Sequence, residues 1–245
     1  MKGDVRDKKY AFQSSKNIWF ISDMHFGHAN IMRYEGRPFK NVDEMNEFML
    51  NRWNALVKPN DIVFILGDIL FGGSELFENI FSKLNGKKYL IKGNHDYKNY
   101  REKYTQYFEE VHSKMFISID GQAIILNHEP LLCFGGQLTN RVWQFFGHVH
   151  TNHTGHDGLD TALVRKVCTP NMYDVGADWN NFAPIKWQQV QDLIQKQIQM
   201  DMNFIEYYEY INSSKILQKF IVFKKKIGKL CKKIHIFIKQ KLKKV

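Results

Sequence analysis

Five short apolar segments of the sequence each end at side chains that can bind a metal ion. In chain order, the groups that follow them are Asp23-Met24-His25, Gly67-Asp68, Gly93-Asn94-His95-Asp96, Asn127-His128 and Gly147-His148-Val149-His150. Imidazole nitrogens with carboxylate and amide oxygens, and without thiolates, suit divalent ions such as Mn, Fe, Zn or Ni. The set is too large for one ion and about large enough for two. Asp68, the one such group in its segment, is a candidate bridge between them.

The spacing inside the first and last of these motifs predicts that their side chains converge. In an extended chain, residues i and i+2 point to the same side, so Asp23 and His25 are expected to face one cleft, as are His148 and His150. Each motif alone has an ordinary explanation, such as a turn at Gly67-Asp68 or a solvated pair of histidines. All of them together, each at the end of an apolar segment, favour a two-metal site.

The apolar segments are predicted strands, and helices are predicted between several of them, with caps at Asn41 and Ser74. The predicted strands cover 17–22, 61–66, 89–91, 115–119, 123–127, 142–146 and 172–177, and the predicted helices cover 41–57, 74–84, 97–108 and 184–198. The first half alternates strand and helix, which is typical of parallel units, whereas Asp120-Gly121 indicates an antiparallel hairpin in the second half. Ligands of α/β sheets bind outside the carboxyl ends of the strands, where the motifs lie.

The composition is typical of a globular domain, since 44% of the 245 residues are apolar and 14% are aromatic. The polar segment from Met1 to Lys16 does not have the pattern of a secretory signal, and no stretch approaches the roughly 18 apolar residues of a membrane-spanning helix. Cys133, Cys168 and Cys231 are too few and too scattered for a disulfide framework or a zinc ribbon. A reducing cytoplasm is therefore the expected compartment.

The net charge of +10 comes from the end of the chain, because residues 213–245 contain twelve lysines and no acidic residue. The rest of the chain has 23 basic and 25 acidic residues, a net charge of −2. Apolar residues at helical spacing predict a basic amphipathic helix in this tail. It could lie on an anionic membrane surface, contact nucleic-acid phosphates, or pack against the body or another subunit. The expected organisation is a catalytic domain over 1–198, with its core at 18–198, and a linker and tail over 199–245.

The order of the motifs resembles that of the calcineurin-like metallophosphoesterase superfamily over about Ile18 to Ile198. The opening from Ser22 to Ile31, with its Asp-Met-His-Phe-Gly-His sequence, is similar to a subgroup of bacterial and phage phosphoesterases, as are Arg33 and Arg37-Pro38-Phe39. The resemblance implies two packed mixed β-sheets flanked by helices, in a four-layer α/β/β/α sandwich.

The same resemblance assigns a role to each motif residue. One ion would be held by Asp23, His25, Asp68 and His150, and the other by Asp68, Asn94, His128 and His148. His95 matches the general acid and Asp96 the residue that orients it. His28, Arg33 and Arg37 are candidate contacts of the substrate phosphate, although surface or packing roles are equally open.

The implied function is a metal-dependent phosphoesterase that cleaves phosphomonoester or phosphodiester bonds by attack of a metal-activated hydroxide, with His95 protonating the leaving oxygen. Two alternatives stay open: a nuclease that uses the basic tail to hold nucleic acid, and a non-catalytic metal-binding scaffold. The nearly neutral body disfavours a nuclease, since affinity for nucleic acid depends strongly on phosphate contacts. A histidine in the position of a general acid disfavours a scaffold.

Overall fold

Two five-stranded β-sheets flanked by helices form the centre of the protein, which confirms the predicted fold class. The computed structural model describes residues 10–99, 102–151, 164, 166–213, 215, 218, 221, 222 and 225. In chain order the strands are β1 Ala11–Phe12, β2 Ile18–Ile21, β3 Ile62–Ile65, β4 Lys87–Ile91, β5 Glu110–His112, β6 Lys114–Ile119, β7 Gln122–Asn127, β8 Val142–Phe146, β9 Met172–Asp174 and β10 Ile185–Lys186. The helices are α1 Ala29–Tyr34, α2 Val42–Leu56, α3 Ser74–Phe81, α4 Asp96–Asn99, α5 Trp187–Met200 and α6 Phe204–Asn212.

The first sheet has the order β10-β2-β3-β4-β5. Its strands β2, β3, β4 and β5 run parallel to one another, as the alternation of strands and helices predicts. Helix α2 begins where expected, because the Asn41 side chain accepts a hydrogen bond from the Glu44 N–H. It buries Met45, Met49 and Trp53 against this sheet. Helix α3 begins one residue earlier than predicted, because Gly73 rather than Ser74 is its cap and Ser74 is its first helical residue.

The second sheet has the order β1-β6-β7-β8-β9 and is more parallel than the sequence predicts. The hairpin of β6 and β7 is antiparallel as expected, but β7, β8 and β9 run parallel to one another. Long connections separate these three strands, which permits the parallel crossovers that a short hairpin turn forbids. Apolar side chains from both sheets, such as Phe20, Phe64 and Phe145, pack between them.

Several short elements have no signal in the sequence. β1, β5 and β10 are two or three residues long and lie at sheet edges, where no apolar periodicity marks them. The helix predicted over 97–108 is instead the short α4 followed by a 3-10 helix at Glu102–Tyr107, with 100 and 101 outside the described residues.

The folded body extends beyond the predicted domain end at Ile198. Helix α6 buries Phe204 and Ile205 in the core between sheet and helices, and the ring of Phe204 lies 5.1 Å from that of Trp179. The body therefore includes residues up to at least Asn212. Most of the predicted basic amphipathic tail lies outside the described residues, so that interpretation stays a prediction. Within the described part of the chain, no helix is both long and apolar enough to cross a membrane.

Candidate metal centre

The loops after β2, β3, β4, β7 and β8 meet at one edge of the two sheets. Backbone hydrogen bonds join the loops to one another: Asp23 N–H donates to Gly67 O at 3.0 Å, and His25 N–H donates to Asp68 O at 3.0 Å. Gly147 N–H donates to His128 O at 2.8 Å, which joins the loops of the second sheet. The predicted convergence of separate motifs is thus present in the backbone.

The backbone is left-handed rather than extended at five of the seven predicted ligand positions. The φ values of Asp23, His25, Asp68, His148 and His150 lie between 45° and 71°. This corrects the argument from extended i and i+2 residues: both side chains of a motif reach the cleft because the chain turns at each of them. Such a conformation costs roughly 1–2 kcal/mol for a non-glycine residue, and strain of this kind clusters at functional sites.

One group of metal-binding atoms comes from Asp23, His25 and His150 and lies within 4.8 Å. The Nε2 atoms of His25 and His150 face each other at 3.2 Å, so at most one of them can carry a proton there. The Asp23 Oδ1 atom and the His25 Nδ1 atom are buried, and neither has a hydrogen-bond partner among the residues that the structure describes. Asp23 Oδ2 accepts from the His148 N–H at 2.8 Å, which fixes the carboxylate in place.

A second group surrounds Asp68 and Asn94. Asp68 Oδ2 lies 3.5 Å from His128 Nε2 and 3.7 Å from His25 Nε2, so this oxygen stands between the two groups. Asn94 Oδ1 lies 3.0 Å from both His128 Nε2 and His148 Nδ1. Geometry also places Asp23 within 4.8 Å of Asp68 and His128, so Asp23 borders both groups.

The pKa shifts of the imidazoles show that the buried carboxylates lack positively charged partners. Burial disfavours a charged imidazole at His128, but the interactions with Asp68 and the charge of Asp23 outweigh it and raise the pKa of His128 to about 9. At His150, burial is likewise outweighed by Asp178 and Asp23, which raise its pKa to about 9. Burial and the neighbouring His150 lower the pKa of His25 well below its ordinary value. Protons on Nε2 of two histidines thus balance the buried carboxylates.

These residues fit divalent metal ions. A cation placed among the facing nitrogens would replace the shared protons, neutralise both carboxylates, and satisfy the unpartnered Asp23 oxygen. The donors are imidazole nitrogens and carboxylate and amide oxygens, a set that suits Mn, Fe, Zn or Ni. The chemistry of the site therefore agrees with the sequence-based expectation of metal binding.

Comparison with known proteins identifies the family. A family model described as calcineurin-like phosphoesterase matches residues 16–167, a range that contains every predicted ligand. The chain belongs to the calcineurin-like phosphoesterase family. It is accordingly a metal-dependent phosphoesterase, a hydrolase of phosphate esters.

Relatives of this phosphoesterase cover most of its length. It is 31% identical over 189 residues to an uncharacterized protein of Methanocaldococcus jannaschii, a match that covers 75% of this chain and 94% of the relative. It is 29% identical to the gene 66 protein of Mycobacterium phage D29, over 69% of this chain and 92% of that one. A crystal structure of a protein of unknown function from Aquifex aeolicus superimposes with a TM-score of 0.56 at 25% identity, covering 73% of this chain and 99% of that chain.

The predicted acid His95 lies at the mouth of the phosphoesterase site. Its side chain is 42% exposed, and its Nε2 lies 3.8 Å from Asp68 Oδ2. Its backbone N–H donates to Asp68 Oδ1 at 3.0 Å. The rings of His25 and Phe71 contact the His95 ring, with centroids 5.6 and 4.7 Å away.

Asp96 acts on the backbone rather than on the His95 ring. Its carboxylate accepts from the N–H groups of Asp68 at 2.8 Å, Ile69 at 3.1 Å and Gly93 at 2.8 Å. Burial raises the pKa of Asp96 to about 6, although these amides lower it. The expected orienting role thus takes another form: Asp96 joins the loops after β3 and β4, and thereby fixes the turn that carries His95.

The three candidate phosphate contacts fall in different places. Arg37 is buried, and its Nε and Nη2 both donate to Asp178, which favours the packing role over a contact with substrate phosphate. His28 is half-buried at the start of α1, and its ring stacks on Phe71 at 4.1 Å. Arg33 is exposed beside Tyr34. His28 and Arg33 stay candidate contacts.

Asp178 is the residue that the sequence interpretation missed. It is buried and accepts a hydrogen bond from His150 Nδ1 at 2.9 Å. A signal existed, because Asp178 directly follows the last predicted strand, at 172–177, just as the other site residues follow theirs.

Replacement of Gly93 by alanine is expected to weaken metal binding strongly without unfolding the protein. A Cβ atom at this position would overlap Asp68 Oδ1 and approach Asp68 N to 2.7 Å and His128 Cε1 to 2.8 Å, so both the side chain and the backbone of Asp68 would have to move. Gly93 is thus required by this close approach. Metal content measured by mass spectrometry after dialysis, with circular dichroism for the fold, tests this.

Gly135→Ala is the matched control, since a Cβ there meets nothing within 4 Å. Equal metal content in Gly93→Ala and Gly135→Ala would contradict the assignment of Asp68 as a ligand.

Metal binding is expected to release about two protons per chain near pH 7.5, one each from His128 and His150. Their pKa values in the folded, metal-free protein, about 9, exceed that of an unfolded histidine. Their protons therefore stabilise the metal-free fold below about pH 6.5, and this stabilisation is lost as the pH rises through about 9. Titration calorimetry of Mn²⁺ binding in two buffers of different ionisation enthalpy measures the release. Equal binding enthalpies in both buffers would rule it out.

Proposed function

We propose that the protein is a dinuclear metal-dependent phosphoesterase. The observation that carries the proposal is the position of Asp68 Oδ2, which lies between His25 and His128 at 3.7 and 3.5 Å. One carboxylate can therefore serve both groups of ligands. Asp23, His25, Asp68 and His150 would hold one ion, and Asp68, Asn94, His128 and His148 the other.

When bound, such ions bind a phosphoryl group and lower the pKa of a water molecule, which supplies the nucleophile. The protein's own residues provide the remaining functions. His95 lies beside the shared carboxylate and is open to the cleft, where its imidazole can donate a proton to the leaving oxygen. The three backbone bonds of Asp96 keep that turn fixed, so little rearrangement is needed to place the acid.

The position of Arg37 favours a phosphodiester over a phosphomonoester substrate. A monoester carries up to two negative charges near neutral pH and a diester carries one, so a monoester site gains more from an added cationic side chain. Arg37 cannot supply that charge, because its guanidinium is buried and bonded to Asp178. Burial and the neighbouring His95 lower the pKa of His28, so of the three candidate contacts only the exposed Arg33 is left to add a positive charge. We therefore expect diesters to be the better substrates.

Hydrolysis of bis(4-nitrophenyl) phosphate and of 4-nitrophenyl phosphate, each with added Mn²⁺, tests the substrate class. The diester is expected to have the higher kcat/KM. A higher value for the monoester would contradict the diester preference while leaving the phosphoesterase assignment in place. No turnover of either ester by protein that has bound Mn²⁺ would favour the scaffold alternative.

Replacement of His95 by alanine is expected to lower kcat about 10²–10⁴-fold, the usual value of a general acid, while metal content stays near the wild-type level. Asp68→Ala is expected to lose both metal and activity. Turnover and metal content are measured on the same samples.

His112→Ala is the control, because His112 pairs with Glu110 on β5 and is not among the residues of the centre. Equal metal loss in His95→Ala and Asp68→Ala would show that His95 is a ligand and not the acid.

A further inference from the structure

Asp178 connects the last metal-binding motif to a buried arginine. Its Oδ2 accepts from His150 Nδ1 at 2.9 Å and from Arg37 Nη2 at 2.8 Å, and its Oδ1 accepts from Arg37 Nε at 2.8 Å. The side chains of Asp178 and Arg37 are 2% and 0% exposed. The two N–H groups of Arg37 face the two carboxylate oxygens in the paired geometry that is typical of an arginine and a charged carboxylate.

Arg37 also binds the backbone of the first motif. Its Nη2 donates to Asp23 O at 2.7 Å, and its Nη1 donates to Met24 O at 3.0 Å. These carbonyl groups lie in the turn whose left-handed residues Asp23 and His25 face the centre. One guanidinium therefore joins the first motif to Asp178, which lies 141 positions after Arg37 in the sequence and bonds to the last motif.

Stability alone is a poor explanation for this arrangement. A buried ion pair loses much of its attraction to the cost of removing both charges from water, and apolar residues of similar size often serve as well. What apolar residues cannot do is hold an imidazole in one tautomer. An acceptor at Nδ1 keeps a proton on that nitrogen and leaves the lone pair of Nε2 to face a metal ion.

We propose that Asp178 is a positioning residue for the ion held by Asp23, His25 and His150. It keeps His150 in the tautomer whose Nε2 faces the ion, and Arg37 holds Asp178 in place. The inference rests on the proposed dinuclear site. Loss of such a partner behind a metal ligand typically weakens metal affinity about 10–100-fold.

Asp178→Asn tests the proposal with little change of shape. If the amide oxygen takes the Oδ2 position, it still accepts from His150 Nδ1, but the NH₂ group then faces Arg37 Nε and the hold of Arg37 on residue 178 is weakened. If the oxygen takes the Oδ1 position, the NH₂ group faces His150 Nδ1 directly. In titrations of the metal-free full chain with Mn²⁺, wild type is expected to bind two ions. Asp178→Asn is expected to bind one of the two about 10–100-fold more weakly, with the other changed far less.

Asp61→Asn is the matched control. Asp61 is also a buried aspartate that accepts from three donors, Trp19 Nε1, Asn17 Nδ2 and Lys58 N, but it precedes β3 at the opposite end of the sheet. It is expected to leave both affinities unchanged. Arg37→Lys, which keeps the charge and loses the two-pronged geometry, is expected to weaken the same ion less than Asp178→Asn does, and it decides the question if Asp178→Asn does not fold.

Unchanged affinities in Asp178→Asn, or equal weakening of both ions, would overturn the positioning role. The same weakening in Asp61→Asn would also overturn it, since any buried aspartate would then have this effect. A wild-type protein that binds one ion contradicts the dinuclear proposal separately. In that case, weaker binding of the single ion by Asp178→Asn still supports the role of Asp178, and unchanged binding overturns it.

Discussion

The carboxylates of Asp23 and Asp68 are held out of water at the meeting point of the two sheets, and the rest of the site follows from that constraint. An unpaired buried charge costs several kcal/mol. Among the ion pairs of the described residues, the partners of these two carboxylates are imidazoles, which compensate the charge only when they are protonated. Divalent cations supply the missing charge without a proton. The arrangement of these residues thus favours the binding of divalent metal ions.

The backbone around the carboxylates is strained and strongly cross-linked. Five predicted ligand residues have left-handed φ values, each at a cost in free energy, and hydrogen bonds between the motif loops hold them in that conformation. Asp96 bonds three amides across two loops, and Arg37 bonds two carbonyl groups of the first motif. A site held in this way keeps its donor atoms near a metal-binding geometry before the ions arrive. That preorganisation is the contribution of the fold to the chemistry.

The sequence predicts which side chains meet at the edge of the sheets, because strands that end at polar residues are a local signal and parallel strands share one edge. The prediction that the side chains of a motif point into one cleft rests on an extended backbone, which is wrong. No local pattern reveals that the backbone of Asp23 and His25 is left-handed. The pairing of Arg37 with Asp178 joins residues 141 positions apart, and only the folded chain shows that Arg37 is buried. The edge strands β1, β5 and β10 are too short to leave a pattern. Asp178 also follows a predicted strand, at 172–177, so the pattern that indicates the other site residues applies to it as well.

The central claim is that one carboxylate, Asp68, serves two metal ions. Anomalous diffraction from crystals soaked in Mn²⁺, recorded at the manganese edge, tests it most directly. The account predicts two anomalous peaks on either side of Asp68, one beside Asp23, His25 and His150 and the other beside Asn94, His128 and His148. A single peak, or two peaks that do not share Asp68, would contradict it.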